Sequence, residues 1–289
     1  VIGRPSVPRS GWHAAVVVSS TAETRTAARL ELEIEGWPGN AAGQHLDVRL
    51  TAPDGYTATR SYSIASSGPA TGDATRVVLA VDRVPGGEVS PYLVDVARAG
   101  DRLEVHGPLG AFFVWQPAAD AAEAAGVADA AGSADAAADP DAAEAATAAD
   151  AAGAPAARPV QLIAGGSGVV PLAAMAQAHG DAGDATPFRM LYSVRSPADL
   201  FFAAELQRLV AAPAPFRLDL VYTRATPEGW PVGPGRLTRD ALEAAVFAAS
   251  ETPRVFVCGS TGFVERVASW LIELGHDARD IRTERFGGT

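Results

Sequence analysis

Residues 117–157 carry eight acids (Asp120, Glu123, Asp129, Asp135, Asp139, Asp141, Glu144 and Asp150), no base, and no aromatic or large aliphatic side chain except Val127. So little apolar surface cannot offset the entropy lost on ordering the chain. The stretch therefore divides the sequence into two parts that must each bury a core of their own. Alanine favours helix, but Gly126, Gly132, Pro140 and Gly153 interrupt the run. The expectation is a low-complexity linker over residues 117–158, with an acidic docking tail for a partner as the alternative. Without those eight acids the formal charge changes from −11 to −3, so the flanking parts are near neutral.

The two parts are written in different patterns. Over residues 1–116, apolar residues fall in short stretches at 14–18, 30–34, 46–50, 77–81 and 103–105, separated by turn signals such as Trp37-Pro38-Gly39-Asn40 and Pro53-Asp54-Gly55. Evenly spaced short strands with no long amphipathic helix predict a small antiparallel β-barrel. One short helix is expected at 90–96. Over residues 159–289, strand and helix alternate: strands at 160–164, 189–194, 218–222 and 255–257, helices at 169–178, 238–249 and 262–274. Ser196-Pro197-Ala198-Asp199 reads as an N-cap, a first-turn Pro and an acid, opening a further helix through Val210 with Phe202, Leu206 and Leu209 on one face. This rhythm predicts an α/β domain with a parallel sheet that binds its ligand at the carboxyl ends of the strands.

The lone Cys258 excludes an internal disulfide, a cysteine-ligated iron–sulfur cluster and a multi-cysteine zinc site. Five histidines without ligand spacing (His13, His45, His106, His179 and His276) give no metal site. The negative charge argues against nucleic acid and anionic membranes. No apolar run near the N-terminus is long enough to span a bilayer, so a soluble, cytoplasmic monomer is expected.

Two motifs carry chemistry. Strand 160–164 runs into Gly165-Gly166-Ser167-Gly168 and then a helix, a glycine turn that lets backbone approach a pyrophosphate at a helix N-terminus. It is not G-x-G-x-x-G, because Pro171 stands where the third Gly would be. Arg60-Ser61-Tyr62-Ser63 reads as a strand with Arg60 and Tyr62 on one face and Ser61 and Ser63 on the other. Downstream, Gly86-Gly87-Glu88-Val89-Ser90 is a second glycine turn into a short helix, and Glu284-Arg285-Phe286 closes a terminal strand.

Taken in order, Arg60-Ser61-Tyr62-Ser63, Gly87 to Ser90, Gly107-Pro108-Leu109-Gly110, the 165–171 loop, Val257-Cys258-Gly259-Ser260 and Glu284-Arg285-Phe286 resemble the ferredoxin-NADP reductase superfamily over nearly the whole chain outside the linker. The resemblance implies a flavin-binding barrel followed by a nicotinamide-nucleotide domain. Arg60 would pair with the FAD pyrophosphate, Tyr62 would pack on the flavin, and Ser61 lies within the same motif. Ser63 would reach flavin N5, and Gly87, Glu88, Val89 and Ser90 would complete the phosphate cradle. Val81 or Arg83 would border the ring. Gly165, Gly166, Ser167 and Gly168 would hold the nucleotide pyrophosphate, with Cys258 and Gly259 beside the nicotinamide. Glu284 would stabilise charge or move a proton, and Phe286 would shield the ring. Arg195 with Ser196 after the second strand, and Arg224 after the third, suit a 2′-phosphate, which favours NADPH over NADH. FMN remains the alternative to FAD. The implied activity is NAD(P)H-dependent reduction of a separate redox protein such as a ferredoxin or oxygenase component. The alternative is a non-catalytic flavin- or nucleotide-binding subunit of a larger complex.

Overall fold

A computed structural model describes residues 11–117 and 158–286. The expected linker, apart from its end residues, lies outside the described residues. The first part forms β1 (Gly11–Ala22), β2 (Ala27–Glu35), β3 (Gly39–Asn40), β4 (His45–Thr51), β5 (Thr57–Ser63), β6 (Gly68–Pro69), β7 (Ala74–Asp82) and β8 (Arg102–Leu109). Six of them make an antiparallel sheet in the order β5-β4-β8-β1-β2-β7, and β3 pairs with β6 separately. Just past β5, Ile64 bridges to Leu79 and Ala65 N–H donates to Val78 O at 2.7 Å. The two edge strands thus meet and curl the sheet into a barrel. Alternate residues fill it: Leu30, Leu32 and Ile34, then Leu46 and Val48, then Val77, Leu79 and Val81. Each such side chain fully buried stabilises by about 1.5–3 kcal/mol. The expected helix at 90–96 is a five-residue π-helical turn, Tyr92–Val96.

The second part forms β9 (Val160–Gly165), α1 (Val169–Ala182), β10 (Phe188–Val194), α2 (Ala203–Ala211), β11 (Phe216–Tyr222), α3 (Arg239–Ala245), β12 (Arg254–Ser260), α4 (Thr261–Glu273) and β13 (Ile281–Phe286). All five strands are parallel, in the order β11-β10-β9-β12-β13. The chain moves outward from β9 in one direction, then returns to β12 on its other side. The carboxyl ends of β9 and β12 therefore flank the crevice where such sheets take ligands. Residues 169–176 of α1 are all buried, as is His179. All of these but Pro171 and His179 share one apolar cluster with Ala27, Ala42, Ala80, Phe113 and Trp115 of the first part. Small alanines on the barrel side let the two parts approach closely and present a continuous core.

Two helices differ from expectation. The helix through Val210 is broken: residues 197–199 form a 3-10 turn, and α2 starts only after Phe202, which sits in the left-handed region at φ 55°. A bulky L-residue adopts that conformation at a cost of about 1–2 kcal/mol, so tertiary contacts must hold it there. The helix expected over 238–249 ends at Ala245, and Val246 turns extended to bury itself with Leu242 and Leu237.

Candidate functional site

On the barrel side, β4 pairs with β5 so that Val48 faces Arg60, Leu46 faces Tyr62 and His45 faces Ser63. Opposed residues share a face, so Arg60 and Tyr62 lie on one side of β5 and Ser61 and Ser63 on the other. Tyr62 packs against the barrel core, and burial pushes its phenol up to about 12 against the pull of Arg60. Arg60 is exposed and pairs with Glu88 at 3.0 Å. Tyr56 Oη donates to the other Glu88 oxygen at 2.8 Å. Ser61 Oγ donates to Asp47 at 2.6 Å. In the neighbouring turn, Ser90 is buried and its Oγ accepts Val84 N–H at 3.0 Å. Gly87 has Val84 O only 3.1 Å from where a Cβ would stand. Val89 is buried in the barrel core.

Arg83 pairs with Asp95 at 2.8 Å on the surface. Val81 packs inside the barrel, so its side chain points away from the second part. The adjacent Ala80 belongs to the cluster shared with that part and replaces Val81 as the β7 side chain that faces it. Strand parity decides this, and it could have been read from Leu79 and Val81 both counting as core.

On the other side, the glycine turn begins at the end of β9. A Cβ on Gly168 would stand 2.5 Å from Cys258 O and 2.6 Å from Gly259 N. Cβ atoms on Gly165 and Gly259 would strike the Phe263 ring at 2.8 and 2.9 Å. These three glycines let the ends of β9 and β12 come together. Gly166, at φ 58°, opens onto free space and lies next to the part-exposed Ser167. At the neighbouring strand ends, Arg224 N–H donates to Arg195 O at 2.9 Å, so the two exposed arginines lie side by side. Ser196 Oγ donates to Asp199 at 2.5 Å.

At the carboxyl ends of β12 and β13, four polar or titratable side chains from the two parts come together. Cys258 and Glu284 are register partners on β12 and β13, and His45 Nδ1 of the barrel lies 3.5 Å from Glu284 Oε1. Ser63, paired with His45, completes the group. Burial raises the Glu284 carboxyl to about 7. It also lowers His45, against the opposing pull of Asp47. Cys258 is fully buried; burial first, then Glu284, pushes its thiol well up. A thiol so held is no nucleophile. Ser63 Oγ and Glu284 Oε2 are buried with no hydrogen-bond partner in the protein. Two unmatched polar atoms where the two parts meet, one a hydroxyl and one a carboxyl oxygen, fit a ligand that both donates and accepts hydrogen bonds, as a flavin ring edge does. Phe286 packs partly buried on the second part's core, as does Ala65 from the barrel.

Sequence reasoning passed over His45. The pairing of β4 with β5 across the turn at Pro53-Asp54-Gly55 sets it opposite Ser63, and counting back along that hairpin would have found it.

Residues 15–114 match the model of the oxidoreductase FAD-binding domain, and residues 162–269 match that of the oxidoreductase NAD-binding domain. The glycine betaine monooxygenase reductase subunit of Chromohalobacter salexigens is 28% identical over 249 residues, covering 86% of this chain and 56% of the relative. A flavohemoprotein of Deinococcus radiodurans is 28% identical over 280 residues, covering 94% and 58%. This chain thus spans little more than half the length of those relatives. Among solved structures, the flavohem-like FAD/NAD-binding domain of a Vibrio cholerae nitric oxide dioxygenase aligns at TM-score 0.72 and 21% identity, covering 97% of this chain and all of that one. An Amycolatopsis cytochrome P450 reductase aligns at TM-score 0.71 and 25% identity, covering 98% and 72%. With a FAD-binding barrel and a NAD-binding parallel sheet joined in that order, the chain belongs to the ferredoxin-NADP reductase superfamily.

Proposed function

We propose that the chain is an NAD(P)H-dependent flavin oxidoreductase, divided into a FAD-binding unit over 1–116 and a nucleotide-binding unit over 159–289, that delivers electrons to a separate redox protein. The observation that carries this reading is the convergence of Ser63 and His45 from the barrel with Cys258 and Glu284 from the parallel sheet, leaving two buried polar atoms unmatched. A bound flavin would accept hydride from the nicotinamide and pass its electrons on singly. Ser63 Oγ and Glu284 would meet the ring's polar edge. Glu284, whose carboxyl burial raises to about 7, can hold or release a proton there, and His45 Nδ1 lies 3.5 Å from it. Cys258 would supply an apolar floor for the nicotinamide, and Phe286, with Ala65 and Ala80, would keep water from the ring. The family relatives include reductase subunits of oxygenase systems, which supports a protein acceptor. With a single cysteine in the sequence, an iron–sulfur acceptor would be held elsewhere than in these residues.

Arg60, Tyr62, Glu88, Ser90 and their glycine turn would hold the FAD diphosphate. A groove of about 520 Å³ lined by Tyr56, Glu88, Tyr92, Arg49 and Arg102 starts beside them, and such a volume accommodates an adenosine. Anaerobic titration of the purified protein with NADPH or NADH should bleach its visible flavin band within a turnover time. A flavin that neither nucleotide reduces would instead mark a non-catalytic subunit. Arg60→Ala should lower FAD affinity at least about tenfold, since a charge-assisted phosphate contact is worth about 1.5–3 kcal/mol. Flavin-to-protein absorbance after gel filtration reads this out.

Arg195, Ser196 and Arg224 would meet the adenosine ribose, and their charge favours NADPH. Changing both arginines to Ala should raise KM for NADPH by about tenfold or more while leaving that for NADH within about twofold. Equal changes for the two donors would refute the 2′-phosphate assignment.

A further inference from the structure

Phe202 is one of two non-glycine residues with positive φ among the described residues, and it is nearly buried. What holds it comes from the other domain. Its N–H donates to Glu23 Oε1 at 2.5 Å. Glu23 Oε2 pairs with Arg29 Nε at 3.1 Å, and Arg29 Nη1 reaches Glu205 at 2.6 Å in the first turn of α2. The Arg29 guanidinium also lies 4.9 Å over the Phe202 ring. Burial pushes the Glu205 carboxyl up, but the Arg29 hydrogen bond contributes to a net lowering, so the group is ionised. Glu23 and Arg29 flank the β1–β2 turn, where Glu23 N–H donates to Ala27 O. The barrel therefore supplies both the cap for the Phe202 amide and the cation that clamps the helix behind it.

Strained, bulky left-handed residues persist only where surroundings over-determine them, and they cluster where geometry matters to function. The kink at Phe202 is what separates α2 from the 3-10 turn at 197–199, and it directs the seven residues leading back to Arg195. We propose that Glu23 and Arg29 are positioning residues for the nucleotide: by holding Phe202 left-handed they set the path of residues 195–201 under the adenosine ribose. This rests on the assignment of Arg195 to the ribose given above. Domain docking would then be read directly at the adenosine end of the donor, far from the hydride.

Steady-state kinetics of the flavin-loaded enzyme with two donors tests this, NADPH and reduced nicotinamide mononucleotide, which lacks the adenosine half. Glu23→Ala should raise KM for NADPH about five- to tenfold, with kcat and flavin content unchanged and no change with the mononucleotide. Glu23→Gln, which keeps an acceptor for the Phe202 N–H, should stay within about twofold of the parent. Amide hydrogen exchange over residues 195–205 should quicken in the Ala variant alone. Equal losses with both donors, an unchanged KM for NADPH, or a Gln variant as impaired as the Ala variant would overturn the proposal. Arg195→Ala separates the two ideas: if it raises KM for NADPH and Glu23→Ala does not, the latch alone is wrong. If neither does, the ribose assignment falls with it.

Discussion

Glu284→Gln should stabilise the flavin-free protein by about 3 kcal/mol near pH 8 and leave it unchanged near pH 4. The folded protein raises the Glu284 carboxyl from 4.5 to about 7 by burial. A carboxyl with a raised folded pKa binds its proton more tightly in the native state. Its contribution is therefore fully present below about 4.5 and is lost as pH rises through about 7. Two and a half units correspond to roughly 3 kcal/mol, an order-of-magnitude figure. His45 does not rescue the anion, because burial also lowers its pKa and so disfavours the imidazolium that would pair with Glu284. Urea unfolding midpoints of the two proteins across that pH interval give the difference directly, and parallel curves would remove Glu284 as the source. A site that tolerates this cost in the absence of ligand has a carboxyl poised to gain or lose a proton at working pH.

Gly168→Ala should cost about 3 kcal/mol and abolish nucleotide-dependent flavin reduction, whereas Gly166→Ala should cost about 1 kcal/mol. At Gly168 the new methyl would meet Cys258 O and the Gly259 amide, backbone atoms that cannot rotate aside. Relief requires the ends of β9 and β12 to separate, which opens the crevice and displaces Cys258. At Gly166 nothing stands within 4 Å, and only the φ of 58° resists a side chain. Chemical denaturation of both variants, with the parent as reference, measures the ranking; equal losses would mean that the close approach at Gly168 is not what the sequence protects.

The architecture was legible because each half repeats one period. Leu30, Leu32 and Ile34 announce a barrel strand, and the glycine turn after 160–164 announces the strand–helix unit. The path of residues 197–202 was not legible. Ser196-Pro197-Ala198-Asp199 has every local mark of a helix start, and the kink that overrides it comes from Glu23 and Arg29, nearly 180 positions away. The motif residues of β5 could be placed on their faces from alternation alone. The orientation of Val81 was legible in the same way, since Val77, Leu79 and Val81 alternate onto the barrel-facing side of β7. The His45–Glu284 contact joins two strands of different domains, and no local pattern in either strand encodes it.

Trp115 lies edge-on to Phe188 at 4.9 Å and to His179 at 5.9 Å. Arg282 Nη1 donates to the carbonyls of Phe112 and Val114. Where the chain returns, Pro159 O accepts Arg254 N–H, and Arg158 pairs with Asp280. Both ends of the acidic segment are thus moored to the same body, at the amino-terminal ends of the parallel strands, opposite their carboxyl ends. The alignment of Ser63 with Glu284 is fixed by packing on either side of those moorings and not by the covalent path between them. A change in the length or composition of residues 118–157 is thereby expected to leave the alignment of Ser63 with Glu284 in place, since it acts outside both moorings.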